Sequence, residues 1–312
     1  MIPAINKVQL AQEATFKTPQ TPAIQPNGLD VKITPKSETE QLDSKDGTTM
    51  PAKYSFIKRR WSEVSIEGPL DYNRSLLWLD GLFGQDASSP HTYAADEDAA
   101  VTPKGLTCVY GQTGAIFQVA GIVPRTMTIK GASGEPWQFV MDGFGLPVSD
   151  GASFETLTTD VPELVHGYDT TLYMDEDLSA TIGTTERADV AFRFEAKITA
   201  NHEPIWHLGD QTWDSIRQGK WGGSLKLVLE ADATALDSLG DILDAVDSAK
   251  GFVIRLQATD GTNTIKLDFA GVCTDPPVLI TDEDGVVTIE LDLVPQWSST
   301  LDSCWGAEVT IA

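Results

Sequence analysis

The residues of this 312-residue chain best suited to chemistry are four histidines (His91, His166, His202, His207) and three cysteines (Cys108, Cys273, Cys304). His202 and His207 share the stretch NHEPIWHLGDQ with Glu203 and Asp210, the nearest approach to a metal site or an acid–base pair. Ligands on one face favour i, i+4 helical spacing or neighbouring hairpin strands. Pro204 stands between the two histidines and breaks any helix there, so both are read as loop histidines. The cysteines are odd in number and none lies in a CxxC pair, which gives neither a zinc knuckle nor a disulfide framework. They are read as small apolar residues or surface thiols. No G-x-S-x-G elbow, G-x-x-x-x-G-K-[ST] loop or strand-borne G-x-G-x-x-G is present. Carboxylates abound, but spacing alone pairs no two of them as a glycosidase would require. Eight tryptophans in a strand-rich chain admit a sugar-stacking reading. Trp61, Trp78 and Trp137 fall inside periodic apolar patterns and are assigned to the core. Trp206, Trp213, Trp297 and Trp305 lie in irregular stretches and suit protein interfaces. The reading is a non-enzyme with no cofactor and no metal.

Charge narrows the partners. The formal net charge is −24, and it is uneven: residues 1–150 hold 13 Lys/Arg against 17 Asp/Glu, residues 151–312 hold 9 against 29. Such a surface repels phosphate at long range, which disfavours tight nucleic-acid binding. No stretch approaches the roughly 18 apolar residues needed to cross a bilayer. The opening MIPAINKVQLAQEATFKTPQTPAIQPNG lacks a basic start and an apolar signal core. A soluble protein made in the cytoplasm is expected.

The elements that carry these residues repeat. KRRWSEVSIEGPLDYNRSLLWLDGLFG (58–84) returns as QGKWGGSLKLVLEADATALDSLGDILDA (218–245). Aligned on Trp61 and Trp221, the stripe Leu76, Leu79, Leu82, Phe83 falls on Leu236, Leu239, Ile242, Leu243, one face of a helix in each copy. Asp71 and Asn73, or Asp232 and Thr234, offer N-cap oxygens. The preceding strands, Val64-Ile66-Leu70 and Leu225-Leu227-Leu229, sit one residue out of phase, so a bulge or loop change after the Trp is expected. Residues 115–144 lie over 265–294 at a second offset, and the stretch 84–105 reads as a loop inserted in the first copy. LDVKITPK (29–36) and VAFRFEAKITA (190–200) alternate as strands, each followed by a long polar hairpin, 37–56 and 201–220. The expected fold is mainly β: two tandem β-sandwich or barrel domains, each with one flanking α-helix and a long hairpin or loop. Their bounds are 1–150 with an N-terminal arm, a linker at 151–185, and 186–312.

With this layout the chain resembles the tail tube protein (major tail protein) family of long-tailed bacteriophages, in a duplicated-domain form. The residues that carry the resemblance are the arm LAQEATFKTPQTPAI (10–24), the strand-and-helix block WSEVSIEGPLDYNRSLLWLDGLFG (61–84) and the paired strands VAGIVPRTMTIKGASGEPWQFVMDGFG (119–145). Lys17 stands where the family has glycine. The resemblance implies a structural subunit of the virion tail, stacking in rings around a DNA-conducting lumen. With two domains per chain it implies trimers of pseudo-sixfold symmetry. Implied partners are further copies of the chain, the tape measure, terminator and tail tip proteins, and DNA in passage without tight binding. An acidic lumen wall would repel that DNA. The hairpins are expected to reach the neighbouring ring, with Lys53, Lys58, Arg59, Arg60, Trp206 and Trp213 as candidate inter-ring or inter-subunit contacts. The alternatives are a tail terminator or baseplate ring, a secretion-tube protein, and, more distantly, a carbohydrate-binding β-sandwich module.

Overall fold

Period-two patterning produces strands along most of the chain. The structure is a computed structural model that describes residues 7–42, 54–84, 89–95, 102–112, 114–187, 191–230, 251–273, 278–283 and 286–311. Strands β1 (Lys7–Gln12), β2 (Asp30–Leu42) and β3 (Tyr54–Pro69) precede helix α1 (Tyr72–Phe83). Next come β4 (His91–Ala94), β5 (Leu106–Gln112), β6 (Ala115–Ala132), β7 (Gln138–Gly145) and β8 (Ser149–Asp150). A short turn of 3-10 helix then leads into β9 (Thr170–Asp175), β10 (Ala191–Thr199), β11 (Glu203–Ile205), β12 (Ser215–Arg217) and β13 (Gly222–Glu230). The chain finishes with β14 (Phe252–Thr259), β15 (Thr264–Cys273), β16 (Val278–Glu283), β17 (Val286–Pro295) and β18 (Trp305–Thr310). The fold is mostly β-strand, and α1 is the one α-helix among the described residues. The second expected helix, around Leu236–Leu243, lies outside them.

Helix α1 forms where its sequence signals place it. Asp71 is extended at the N-cap and its side chain accepts the Arg74 N–H at 3.0 Å, satisfying one of the donors a helix start leaves open. Gly84, with φ of 91°, ends it in a backbone conformation costly for other residues. The expected stripe is buried at Leu79, Leu82 and Phe83, and Leu77 and Trp78 are buried as well. The helix is therefore enclosed on more than one face. Trp78 packs on Phe139 of β7 with ring centroids 4.9 Å apart. Phe83 stacks on Trp221 at 5.0 Å, which ties the helix to the second half of the sequence.

The strand ladders join the halves instead of separating them. β2, β3, β7 and β6 are neighbours in that order, β6 then pairs with β10, and β10, β13 and β17 continue the same sheet to β16. The joint is antiparallel and unbroken in register from Thr199↔Thr126 to Arg193↔Ala132. The first segment of β6 pairs with β5, and β5 with β1; β15 likewise pairs with β14, and β14 with β9. One apolar cluster runs through all of this, from Leu10, Ile66 and Met141 to Phe194, Leu227 and Phe269. A division into two separate tandem domains, or a closed barrel, is accordingly not seen. The ladder order nonetheless recurs. Leu146 N–H donates to Ala120 O at 2.9 Å, and Gln296 N–H to Ala270 O at 2.9 Å, the same bond 150 positions on.

One expectation is met and two need correcting. Ile66 pairs with Met141 and Leu227 with Leu291, so the strands match one position off the Trp61–Trp221 alignment. The slip is absorbed ahead of β13: Trp221 precedes the strand, whereas Trp61 lies within β3, and the register of β13 with β17 is continuous. The stretch 84–105, read as a loop, contributes β4, which pairs with β18 in the other half. The stretch 151–185, read as linker, contains β9, which pairs with β14.

Candidate assembly interface

The candidate contacts sit around the two polar hairpins, and these have different fates. β2 and β3 run on together as far as Leu42↔Tyr54; Lys53 lies outside the described residues. Two cations of β3, Lys58 and Arg59, are paired across the ladder. Lys58 Nζ is 2.5 Å from Glu40 and Arg59 3.6 Å from Glu38. The Glu40 hydrogen bond holds the Lys58 ammonium above its ordinary range. The Arg59 guanidinium also lies 4.6 Å over the Trp206 ring. The Arg60 N–H donates to Gln211 O at 2.8 Å. The second hairpin, with its short β11–β12 ladder, thus folds back onto β3 instead of projecting.

Trp213 is the anchor of that docking. It is fully buried, 5.2 Å from Phe144 and 5.7 Å from Phe16, and its indole N–H donates to Gly145 O at 3.2 Å. Its ring belongs to the interior of the chain. Trp206 is half-buried and meets Trp61 edge-on at 6.0 Å. Of the other tryptophans read as interfacial, Trp305 is buried and Trp297 is exposed.

The histidines do not converge. His202 is buried with Nδ1 2.7 Å from Pro124 O, and burial pushes its pKa down, so the neutral ring donates Nδ1–H to that carbonyl. His207 Nδ1 lies 3.2 Å from Asp214. Among the described residues no group of three His, Cys, Asp or Glu is placed to hold a metal ion. Cys108 is buried and its thiol is pushed up to about 12, which keeps it protonated and inert.

The described residues thus hold a sheet joint, an arm and two hairpins, and among them no convergent chemical site. The sequence model of the phage tail tube protein family matches residues 4–295. The chain belongs to that family. Curated proteins show no match. A tail tube protein is a structural component of a phage tail and not an enzyme. No helix among the described residues is long and apolar enough to cross a membrane.

In this tail tube protein the N-terminal arm is locked by Glu13 and Lys17. Glu13 is buried; Oε1 accepts from the Gly121 N–H at 2.6 Å and from the Thr107 hydroxyl at 2.9 Å, and Oε2 accepts from the Lys17 N–H at 2.7 Å. Burial raises its pKa against the pull of those donors. Lys17 takes φ of 64°, so the turn where the family has glycine is made by a lysine. Left-handed backbone costs a non-glycine residue about 1–2 kcal/mol. The Lys17 ammonium offsets this by donating to Trp213 O at 3.0 Å and Asp214 O at 2.9 Å. Gly121, at φ of 61°, lies where the arm and the docked hairpin meet; a Cβ there would come within 3.2 Å of Lys17 and 3.4 Å of Trp213. The spacing Glu13–Lys17 was visible in the sequence, but its partners are 94 to 197 positions away.

The sheet also has open ends. Among the described residues β2 pairs only with β3, and β16 only with β17. At the far end of the first hairpin Tyr54 is 71% and Phe56 46% exposed.

Proposed function

We propose that the chain is a ring-forming tail tube subunit, with three copies closing a pseudo-sixfold ring that stacks into a DNA-conducting tube in the virion tail. The observation that carries this reading is the β6–β10 joint. In the recurring order β2-β3-β7-β6 and β10-β13-β17-β16, the last strand of the first set pairs antiparallel with the first strand of the second. The unpaired edges of β16 and β2 stand in the same two places, so β16 of one chain meets β2 of the next as β6 meets β10 within a chain. Head-to-tail contacts of this kind close a ring when the rotation closes. Each unit then corresponds to one of the two copies read in the sequence, 1–150 and 186–312, with β9 of the 151–185 stretch joining the second.

Edge pairing and apolar burial supply the assembly energy, because subunits of net charge −24 repel one another. The β2–β3 hairpin, with Tyr54 and Phe56 exposed, reaches the adjacent ring, while the 201–220 hairpin, docked on β3, braces it. Terminator, tape measure and tail tip proteins cap and fill the tube. Negative-stain imaging of the purified chain over a range of ionic strengths tests the reading. Rings or hollow rods that become more abundant with salt support it. Particles that remain single at every salt concentration, or tubes that salt dissolves, contradict it.

A further inference from the structure

The solvent face of the sheet concentrates cations at the in-chain joint. On β10, Phe194, Ala196 and Ile198 are buried, which turns Arg193, Glu195 and Lys197 to the opposite face. In register, Lys130 of β6 lies beside Glu195 on one side and Lys226 of β13 on the other. Four cations thus surround one carboxylate: Lys130 and Lys226 in its row, Arg193 and Lys197 two positions along the strand in either direction. All four cations are exposed. Lys130 pairs with Glu195 at 3.0 Å and Lys226 with Asp292 of β17 at 3.0 Å. With neighbouring strands about 4.8 Å apart and successive residues about 3.3 Å apart, the cluster is roughly 10 Å wide and 13 Å long. A chain holding 22 Lys/Arg against 46 Asp/Glu has few cations to place, and among the described residues of this patch four cations face Glu195, Asp292 and Glu290.

The corresponding positions of β2, matched through its ladder with β3, carry Asp30, Lys32 and Thr34 in place of Arg193, Glu195 and Lys197. The cluster therefore belongs to the in-chain joint and does not recur on the edge strand.

We infer that this joint is a contact point for the phosphate backbone of DNA. The inference rests on the tube reading above and takes the face opposite the apolar cluster, which no other element of the fold covers among the described residues, as the one that lines the bore. The partner class follows from charge: a patch of exposed ammonium and guanidinium groups on a strongly acidic protein complements a polyanion, and phosphate contacts need no base sequence. Contact is weak, because the surrounding acid repels the same polymer. The expected acidic bore wall is thereby interrupted once per chain, giving brief, evenly spaced holds in place of uniform repulsion.

The test is fluorescence anisotropy of a labelled DNA duplex of arbitrary sequence titrated with the full chain, dispersed, as salt is varied. Binding should weaken steeply with salt, and Arg193→Ala or Lys197→Ala should each lower the affinity several-fold and flatten the log–log salt slope by about 1. Glu195→Gln should tighten binding, a gain that no loss of folding can mimic. Lys58→Ala, remote on the hairpin, should change nothing. No binding at low salt, or Glu195→Gln leaving affinity unchanged, overturns the inference. Imaging the chain separately, under the salt range used to form rings, distinguishes the two readings: rings without DNA contact by the dispersed chain overturn this inference alone, and DNA contact without rings at any salt overturns the ring alone.

Discussion

Glu13 shows how much one side chain can organise at a distance: its two oxygens take three donors from the arm, β5 and β6. Replacing it with Gln keeps one acceptor but turns an NH2 toward donors. The expected loss is about 1–3 kcal/mol, the cost of leaving a buried donor unsatisfied. Because burial raises the folded carboxyl above its unfolded value, the folded chain binds a proton that the unfolded chain has released. Stability then falls as pH rises through the window between the ordinary carboxylate value and the raised one. Urea unfolding of the parent and Glu13→Gln at several pH values checks this: the advantage of the parent should shrink as pH rises through that window. At this scale Asp71 was legible as an N-cap, because its bond to Arg74 lies three residues along. Lys17 was legible only as a departure, because the groups that sustain its turn are 196 and 197 positions distant.

Strand and helix patterns are local, and these elements were read from the sequence with most success. The 3.6-residue stripe placed α1, and the alternation at 29–36 and 190–200 marked β2 and β10. What alternation cannot give is a partner. The 18-residue β6 changes neighbours along its length, pairing with β5 through Ile122 and with β7 from Val123 onward, and a run of apolar residues does not announce that change. The one-residue slip was visible, but not its place: Trp221 stands just before β13, stacked on Phe83 of the helix, whereas Trp61 lies within β3. Two predictions belong to this scale. Trp213→Ala should cost about 3–5 kcal/mol and speed proteolytic cleavage within 201–220, because the hairpin loses its buried anchor. Tyr54→Ser with Phe56→Ser should leave thermal unfolding of the chain within about 0.5 kcal/mol of the parent, as both side chains are already in solvent. Stacking of rings into rods, scored by electron microscopy, should drop sharply in that variant.

For the whole molecule, composition gave the acidity and the absence of a catalytic set, and the order of motifs gave the family. It did not give the shared sheet, since the pairing of Met127 with Ile198 crosses the stretch that looked like a linker. That joint is the feature on which the proposed assembly rests, with counterpart edges at β2 and β16 that are unpaired among the described residues. Symmetry averaging of end-on views of assembled rings by cryo-electron microscopy tests it most directly. The account predicts three chains per ring, six similar lobes, and one unbroken strand layer around the bore in which β16 of each chain pairs with β2 of the next. A ring of six chains, or a bore lined by anything other than that layer, would contradict it.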